Sequence, residues 1–210
     1  MVRKFTIDET LLLDKDSPKV VPIGISNRHV HLSRQHVEKL FGEGYELTAI
    51  KPLSQPGQFA AEEKLQVVGP KGILENVRIL GPERKESQVE LSQTEARRIG
   101  IKALVRDSGD LEGTTGCVLI GPKGYVILDK GVICAKTHLH LHTEEAKKYG
   151  LKDKQLVNVY VKGEGKSGCF FDVLARVGDN YALDMHIDTD EANAFRLSNQ
   201  SVGLIIDDEA

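Results

Sequence analysis

The sequence predicts a mainly β protein: two small, closely packed β-barrel domains with short capping helices, related by an internal duplication. Three observations carry that expectation. Short runs of aliphatic and β-branched residues recur along the 210-residue chain, bounded by Gly-Pro, Lys-Gly and Ser-Gly turns. Helix-type stretches are few and short. One phrase is also written four times: His29-Val-His31-Leu-Ser33-Arg-Gln-His-Val37, Gln88-Val-Glu90-Leu-Ser92-Gln-Thr-Glu-Ala96, His138-Leu-His140-Leu-His142-Thr-Glu-Glu-Ala146 and Asp184-Met-His186-Ile-Asp188-Thr-Asp-Glu-Ala192. Many short strands at even spacing argue for barrels and against a doubly wound sheet.

Taken in order, residues 1–19 read as an N-terminal leader that ends at Ser17-Pro18, with a weak amphipathic helix at Ile7–Leu13. An apolar run from Val20 to Ile25 leads into the first His pair, followed by a helix over Arg34–Phe41. Short strands follow at Leu65–Val68 and Val77–Leu80, with Gly69-Pro-Lys-Gly72 between them as a hairpin connection. A helix at Gln93–Ile99 stops at Gly100, and strands return at Ala103–Val105, Cys117–Ile120 and Tyr125–Leu128. Val132–Ala135 leads into the second His pair as Val20–Ile25 leads into the first. Ile23–Phe41 thus aligns with Val132–Gly150 at a constant offset, which suggests the duplication. The last third supplies a helix at Glu144–Tyr149, strands at Leu156–Val161, Cys169–Arg176 and Tyr181–Met185, a helix at Asp190–Leu197 and a strand at Val202–Ile206.

Composition narrows the function classes. A net charge of −3 gives no sign of a nucleic-acid partner, and no stretch approaches the roughly 20 apolar residues of a membrane span. Cys117, Cys134 and Cys169 are odd in number and widely spaced, as suits reduced thiols in a cytoplasmic protein.

The repeated phrase delivers a metal-ligand type to one place each time. Aligned on Val37, Ala96, Ala146 and Ala192, the residue six places earlier is His31, Glu90, His140 or His186. Residues i and i+2 of a strand share a face, so His29/His31 and His138/His140 each present two imidazoles side by side. The apolar residue between them then points into the core. The polar residue after each ligand is an N-cap type, and a short helix follows. The candidate ligands are therefore His29, His31, Glu90, His138 and His140, with His186 as a sixth. Imidazole with carboxylate suits zinc, and six ligands fit two ions with open positions better than one closed structural site. His142 is open to two readings, as a further ligand or as a helix cap. Arg84 lies six residues before Glu90, close enough for its guanidinium to grip an anion beside the metals, though a surface role is equally compatible. Arg106-Asp-Ser-Gly-Asp110 reads as a polar turn, either loop or site.

These segments resemble a known family. Asn27-Arg28-His29-Val-His31-Leu-Ser33, Leu80-Gly-Pro-Glu-Arg84-Lys-Glu-Ser-Gln88-Val-Glu90-Leu-Ser92, Val105-Arg-Asp-Ser-Gly-Asp110 and Met185-His-Ile-Asp-Thr-Asp-Glu-Ala-Asn193 are similar to motifs of the phosphate propanoyltransferases, the PduL-type phosphotransacylases. The likeness runs from about Pro22 to Ile206. It implies two β-barrels, a dinuclear zinc site (two ions per chain) and reversible acyl transfer between coenzyme A and phosphate. By the same resemblance, the six ligands named above hold metal and Arg84 holds phosphate. Ser26, Asn27, Arg28, Arg78 and Asn193 face coenzyme A, with Lys71 a further candidate. It also implies discontinuous domains: residues 20–27 plus 136–206 as one barrel and 28–135 as the other. One departure stands out, because this chain has Thr137 where the family usually carries Arg before the second His pair.

The leading expectation is acyl-CoA plus phosphate interconverting with acyl phosphate plus CoA by direct transfer, since no Ser-His-Asp set or activated Cys is evident. A dizinc thioester or phosphoester hydrolase is the alternative, and a non-enzymatic metal-binding module the third. The expected partners are acyl-CoA and phosphate, with no nucleic acid and no membrane. Self-association as a homo-oligomer and association with a bacterial microcompartment, whose lumen is the alternative location to the cytoplasm, are both compatible with the resemblance.

Overall fold

The computed structural model describes residues 5–14 and 16–206. In chain order the strands are β1 (Val20–Ser26), β2 (His29–His31), β3 (Ala49–Pro52), β4 (Phe59–Gly69), β5 (Gly72–Gly81), β6 (Gln88–Glu90) and β7 (Leu104–Arg106). They continue with β8 (Thr115–Ile120), β9 (Tyr125–Ala135), β10 (His138–Leu141), β11 (Leu156–Gly163), β12 (Lys166–Val177), β13 (Asp184–Asp188) and β14 (Val202–Ile206). The helices are α1 (Arg34–Phe41), α2 (Gln93–Arg98), α3 (Thr143–Tyr149) and α4 (Thr189–Phe195). None of these helices is long and apolar enough to cross a membrane.

The chain divides into two compact units. One is continuous, Asn27–Lys136, and the other is split, Met1–Ser26 with Thr137–Ala210. The split unit is a closed barrel in the order β1-β13-β10-β12-β11-β14. In the continuous unit β4-β5-β2-β6-β9-β8 returns to β4 and closes a ring of the same size, with β3 and β7 added outside it. The pairing senses match strand for strand. Each His-pair strand runs parallel to one neighbour (β2 with β5, β10 with β12) and antiparallel to the strand of the third ligand (β6, β13). The duplication read from the sequence is therefore a duplication of topology. Each ring encloses its own core: Val30, Val67, Ile79, Val89, Leu119 and Val132 in the continuous unit, and Ile23, Leu139, Val159, Val173, Ala175 and Met185 in the split unit. Val30 and Leu139, each between two histidines, are fully buried. Burial of that kind stabilises by about 1.5–3 kcal/mol per side chain and fixes the strand's register, and with it the His face.

Several boundaries differ from the sequence reading. The runs at Tyr125–Leu128 and Val132–Ala135 are one strand, β9, carried through Gly131 at φ +119, where an added Cβ would meet the Ser87 carbonyl at 2.8 Å. The run expected at Tyr181–Met185 forms its strand from Asp184 to Asp188, so Tyr181 is left in the preceding turn. Strand β3, wholly exposed, has no apolar alternation to announce it. Gly150 closes α3 in the left-handed region, φ 66. In the leader, Glu9–Leu13 form a 3₁₀ turn capped by the Asp8 side chain. Leu11 and Leu12 pack on Val20, Tyr160, Leu204 and Ile206, and the Tyr160 hydroxyl donates to the Glu9 carboxylate. The part of the leader reading that falls on residues 1–4 and 15 lies outside the described residues.

Candidate metal centre

In the continuous unit, β2 holds His29 and His31 on one face with ring centroids 5.0 Å apart, edge to face. Antiparallel pairing with β6 sets Glu90 opposite His29. Glu90 Oε2 is 3.4 Å from His29 Nε2, and Oε1 is 3.8 Å from His31 Nε2. Each ring is tied from behind: His29 Nδ1 donates to the Asn27 carbonyl at 2.8 Å, and His31 Nδ1 to the Leu80 carbonyl at 3.1 Å. That places a proton on each Nδ1 and turns the Nε2 edges toward Glu90, as metal-binding imidazoles are arranged. Burial disfavours charge on His29, but Glu90 outweighs it and raises the His29 pKa. Burial, then the charges of His29 and Arg84, push His31 down to about 3, so its lone pair is free at neutral pH. Burial works against ionisation of Glu90, but His29, His31 and Arg84 outweigh it and hold the carboxylate well below its usual range. One donor atom from each of the three lies within 4.8 Å of the others.

The split unit repeats the arrangement with a third imidazole in place of the carboxylate. His138 and His140 share a face of β10, and β13 sets His186 opposite His138. Ring centroids are 4.6 Å apart for His138–His140, 5.2 Å for His138–His186 and 4.9 Å for His140–His186. Here too one donor atom from each lies within 4.8 Å of the others. Asp184, two residues before His186, brings Oδ2 to 3.1 Å from His186 Nε2. Burial first, then His138, His186 and Arg176, push His140 down to about 2. His140 Nδ1 is a buried polar atom with no hydrogen-bond partner among the described residues.

Both donor sets fit a zinc-like ion. His₂Glu and His₃ are the three-ligand sets that leave a fourth position open for substrate. In the second set His138 and His140 are buried side by side, and each disfavours protonation of the other, which keeps imidazole lone pairs free for a cation.

Around the first triad lies a polar network. Arg84 is half-buried, bridges in register with Ser33 and donates from Nη1 to Ser108 Oγ at 3.1 Å. Ser108 accepts from Gln88 Nε2 at 2.9 Å and lies 3.2 Å from Glu90 Oε1. Gln88 Oε1 accepts from the Gly109 amide at 2.8 Å. The polar turn at Arg106–Asp110 thus belongs to the site, and Ser108 is the residue that sequence spacing did not single out. Asp184, Arg176 and Tyr181 were likewise missed. They enter through β12, β13 and the turn between them. Asp184 stands two residues before His186, as His29 stands before His31, whereas no local spacing marks Arg176 or Tyr181.

The other candidates fall out unevenly. Arg78 pairs with His29 on the parallel strand β5 and donates to the Ala61 carbonyl at 2.6 Å. Asn27 and Arg28 are exposed just before His29, and Arg28 Nη1 lies 2.8 Å from Glu95 Oε1. Ser26 ends β1, two residues after Gly24, which pairs with His186. Asn193 is exposed on α4. Lys71 is not gathered with the triad of its unit. It sits at the β4–β5 turn against Gly100, and β5 needs roughly 20 Å at about 3.3 Å per residue to reach Arg78 beside His29. His142 is the N-cap of α3, its ring accepting from the Glu144 amide at 3.2 Å, which settles its two readings in favour of the cap. His36 Nδ1 lies 2.7 Å from Ser87 Oγ. Thr137 donates to Glu191 Oε1 at 2.5 Å.

Comparison with known proteins identifies the family. The sequence profile of the family described as phosphate propanoyltransferase matches residues 22–198. Among similar proteins named phosphate propanoyltransferase, that of Thermotoga maritima is 53% identical over 201 residues, covering 96% of this chain and 95% of its own. That of Leptotrichia buccalis is 51% identical, covering 95% and 93%, and that of Clostridioides difficile 48%, covering 89% and 88%. With most of the chain matched at about half identity, and both ligand triads inside the matched residues, this chain belongs to the phosphate propanoyltransferase family.

Proposed function

We propose that the chain is a phosphate acyltransferase interconverting a short-chain acyl-CoA, propionyl-CoA or acetyl-CoA, and phosphate with acyl phosphate and CoA. It would use two zinc ions per chain, one on each triad. The observation that carries this reading is a pair of largely buried three-ligand clusters in topologically equivalent places, one of them with Arg84 beside it. When bound, zinc supplies Lewis acidity toward the thioester carbonyl and the departing thiolate. The protein's own groups do the rest. Arg84, steadied by Ser108, presents a guanidinium fork that binds phosphate through two parallel charge-assisted hydrogen bonds. A phosphate oxygen then attacks the thioester carbon, the C–S bond breaks and CoA leaves as thiolate. Holding phosphate in place removes much of the entropic barrier to that encounter. Ser26, Asn27, Arg78 and Asn193 are assigned to coenzyme A, with Lys71 as a further candidate on the β4–β5 turn. Arg28, 40% exposed, joins them, since a guanidinium paired with Glu95 keeps N–H donors to spare.

Direct transfer is favoured over an acyl-enzyme by the state of the thiols. Burial pushes the Cys117 thiol up to about 12 and raises that of Cys169, so neither is a ready thiolate nucleophile. The test is a coupled assay on metal-analysed protein with propionyl-CoA and acetyl-CoA, with and without phosphate. CoA release that requires phosphate and yields acyl phosphate is expected. Release at the same rate without phosphate would make the protein a hydrolase.

A further inference from the structure

In the continuous unit both imidazoles of the His pair are held from behind by a carbonyl on Nδ1. In the split unit the equivalent of His31 is His140, and its Nδ1 is buried without a partner among the described residues. Something else must fix that ring. Tyr181 lies flat against it, with centroids 4.5 Å apart and planes 17° from parallel. Tyr181 is itself anchored: Arg176 Nη2 is 3.3 Å from its hydroxyl, and the Arg176 guanidinium carbon sits 5.6 Å from its ring centroid. Arg176 in turn pairs with His140 across the parallel strands β10 and β12. Histidine, tyrosine and arginine therefore form a closed stack behind one side of the triad.

We propose that Tyr181 is the positioning residue of His140. Its ring sets by stacking the imidazole orientation that a hydrogen bond sets for His31, and the His₃ site holds its ion through that support. The inference rests on the zinc reading given above. A consequence is an asymmetry between the equivalent ligands: His31 is fixed by a backbone carbonyl, whereas His140 is fixed by one side chain from a turn. Partners that orient metal ligands are worth roughly ten- to a hundred-fold in metal affinity.

The experiment is zinc competition against a chromophoric chelator on the full-length protein, repeated with cobalt(II), whose visible absorption reports ligand geometry. Wild type is expected to bind two ions. Tyr181→Leu should weaken one of the two by ten- to a hundred-fold and alter the cobalt spectrum of that site only. The other site should be unchanged, which doubles as the control that the variant is folded. Tyr181→Phe, which keeps the stack, should bind both ions as wild type does. Two unaltered sites in Tyr181→Leu would overturn the inference while leaving the zinc reading intact. A loss in Tyr181→Phe as large as in Tyr181→Leu would place the effect in the hydroxyl and overturn stacking as its cause. Wild-type protein that binds no ion at all would overturn the zinc reading itself, and this inference with it.

Discussion

Gly24 shows how far the candidate metal site depends on a residue with no functional group. It pairs with His186 on the neighbouring strand, and a Cβ at that position would stand 2.6 Å from Asp184 Oδ2, the oxygen that holds His186. Gly24→Ala must therefore displace Asp184. The expected result is a loss of stability of about 1–3 kcal/mol, the usual cost of overpacking, with zinc held roughly ten-fold or more weakly at one site of two. Thermal melting and zinc competition measure the two effects separately, and unchanged zinc affinity would refute the link through Asp184. For Arg84, the expectation follows from geometry. An ammonium keeps the charge but cannot reproduce the fork, so Arg84→Lys should retain zinc and lose roughly ten- to a thousand-fold in kcat/KM, with the phosphate KM raised. Steady-state kinetics with phosphate varied checks this, and wild-type phosphate kinetics in Arg84→Ala would make Arg84 a surface residue. These residues differ in how visible they are in sequence. The ligands could be read because a strand repeats every second residue, so His-x-His is a local statement about one face. Asp184 faces His186 by that same two-residue repeat, whereas Ser108 and Tyr181 are set by which strand or turn lies opposite, and that is a long-range property. The place of Lys71 is long-range in the same way: its distance from His29 is decided by the direction of β5.

The short helices carry a device that recurs between the two units. In α2, Glu95 Oε2 accepts from the Ser92 amide at 3.2 Å while Oε1 meets Arg28. In α4, Glu191 Oε2 accepts from the Asp188 amide at 2.8 Å while Oε1 accepts from Thr137. Each Glu closes a capping box and also ties the helix to the residue just before a His pair. Thr137, where Arg would be expected from the family, thus fulfils in its unit the tether that Arg28 provides in the other. Helices of six and seven residues are too short to persist on propensity alone, so such ties matter. Glu95→Ala should cost about 1–2 kcal/mol, read by denaturant unfolding. The Thr137 bond has a pH signature. Burial raises the Glu191 pKa, and the Thr137 hydroxyl opposes that rise by favouring the charged form. A raised carboxyl contributes stability that is present below its unfolded value and lost as pH climbs through its folded one. Removing the opposing donor should therefore hurt more where the carboxylate is charged. Thr137→Val is expected to lower stability more at pH 7 than at pH 4, and an equal loss at both would deny the charge-assisted bond. At this scale the sequence reading located all four helices to within a residue or two, because caps and Gly stops are local. It missed exposed β3 and the unbroken β9, where a Gly that looks like a stop instead lets the strand pass Ser87.

At the scale of the whole molecule, the two rings have one pairing pattern but different chain orders. In the continuous unit the strands β8 and β9 are adjacent in sequence and joined by the turn between Ile120 and Tyr125. Their counterparts in the split unit are β14 and β1, which also pair antiparallel, Val20 with Leu204 and Pro22 with Val202, yet stand at opposite ends of the described chain. The final strand of each ring is followed at once by the His-pair strand of the other, β1 by β2 and β9 by β10. The recurring match of Ile23–Phe41 with Val132–Gly150 is the trace this order leaves in the sequence, since each copy spans the end of one ring and the start of the next. It follows that residues 137–206 alone lack the strand that closes their barrel, leaving β13 and β14 with open edges of the kind that promote aggregation. Supplying β1 in the right order should cure this. The Ile205 amide already donates to the Lys19 carbonyl at 2.7 Å, so the end of β14 and the start of β1 are close enough for a hairpin loop of about two to five residues. A rearranged chain running from 137 to 206, through such a loop, and on through 19–26 reproduces the order of the continuous unit. That chain is expected to fold by itself, with cooperative unfolding and dispersed amide spectra, and to bind one zinc ion through His138, His140 and His186. The fragment 137–206 without β1 should do neither. A rearranged chain that stayed unfolded would show that this ring draws its stability from beyond its own strands, and a folded one that bound no zinc would count against the His₃ site.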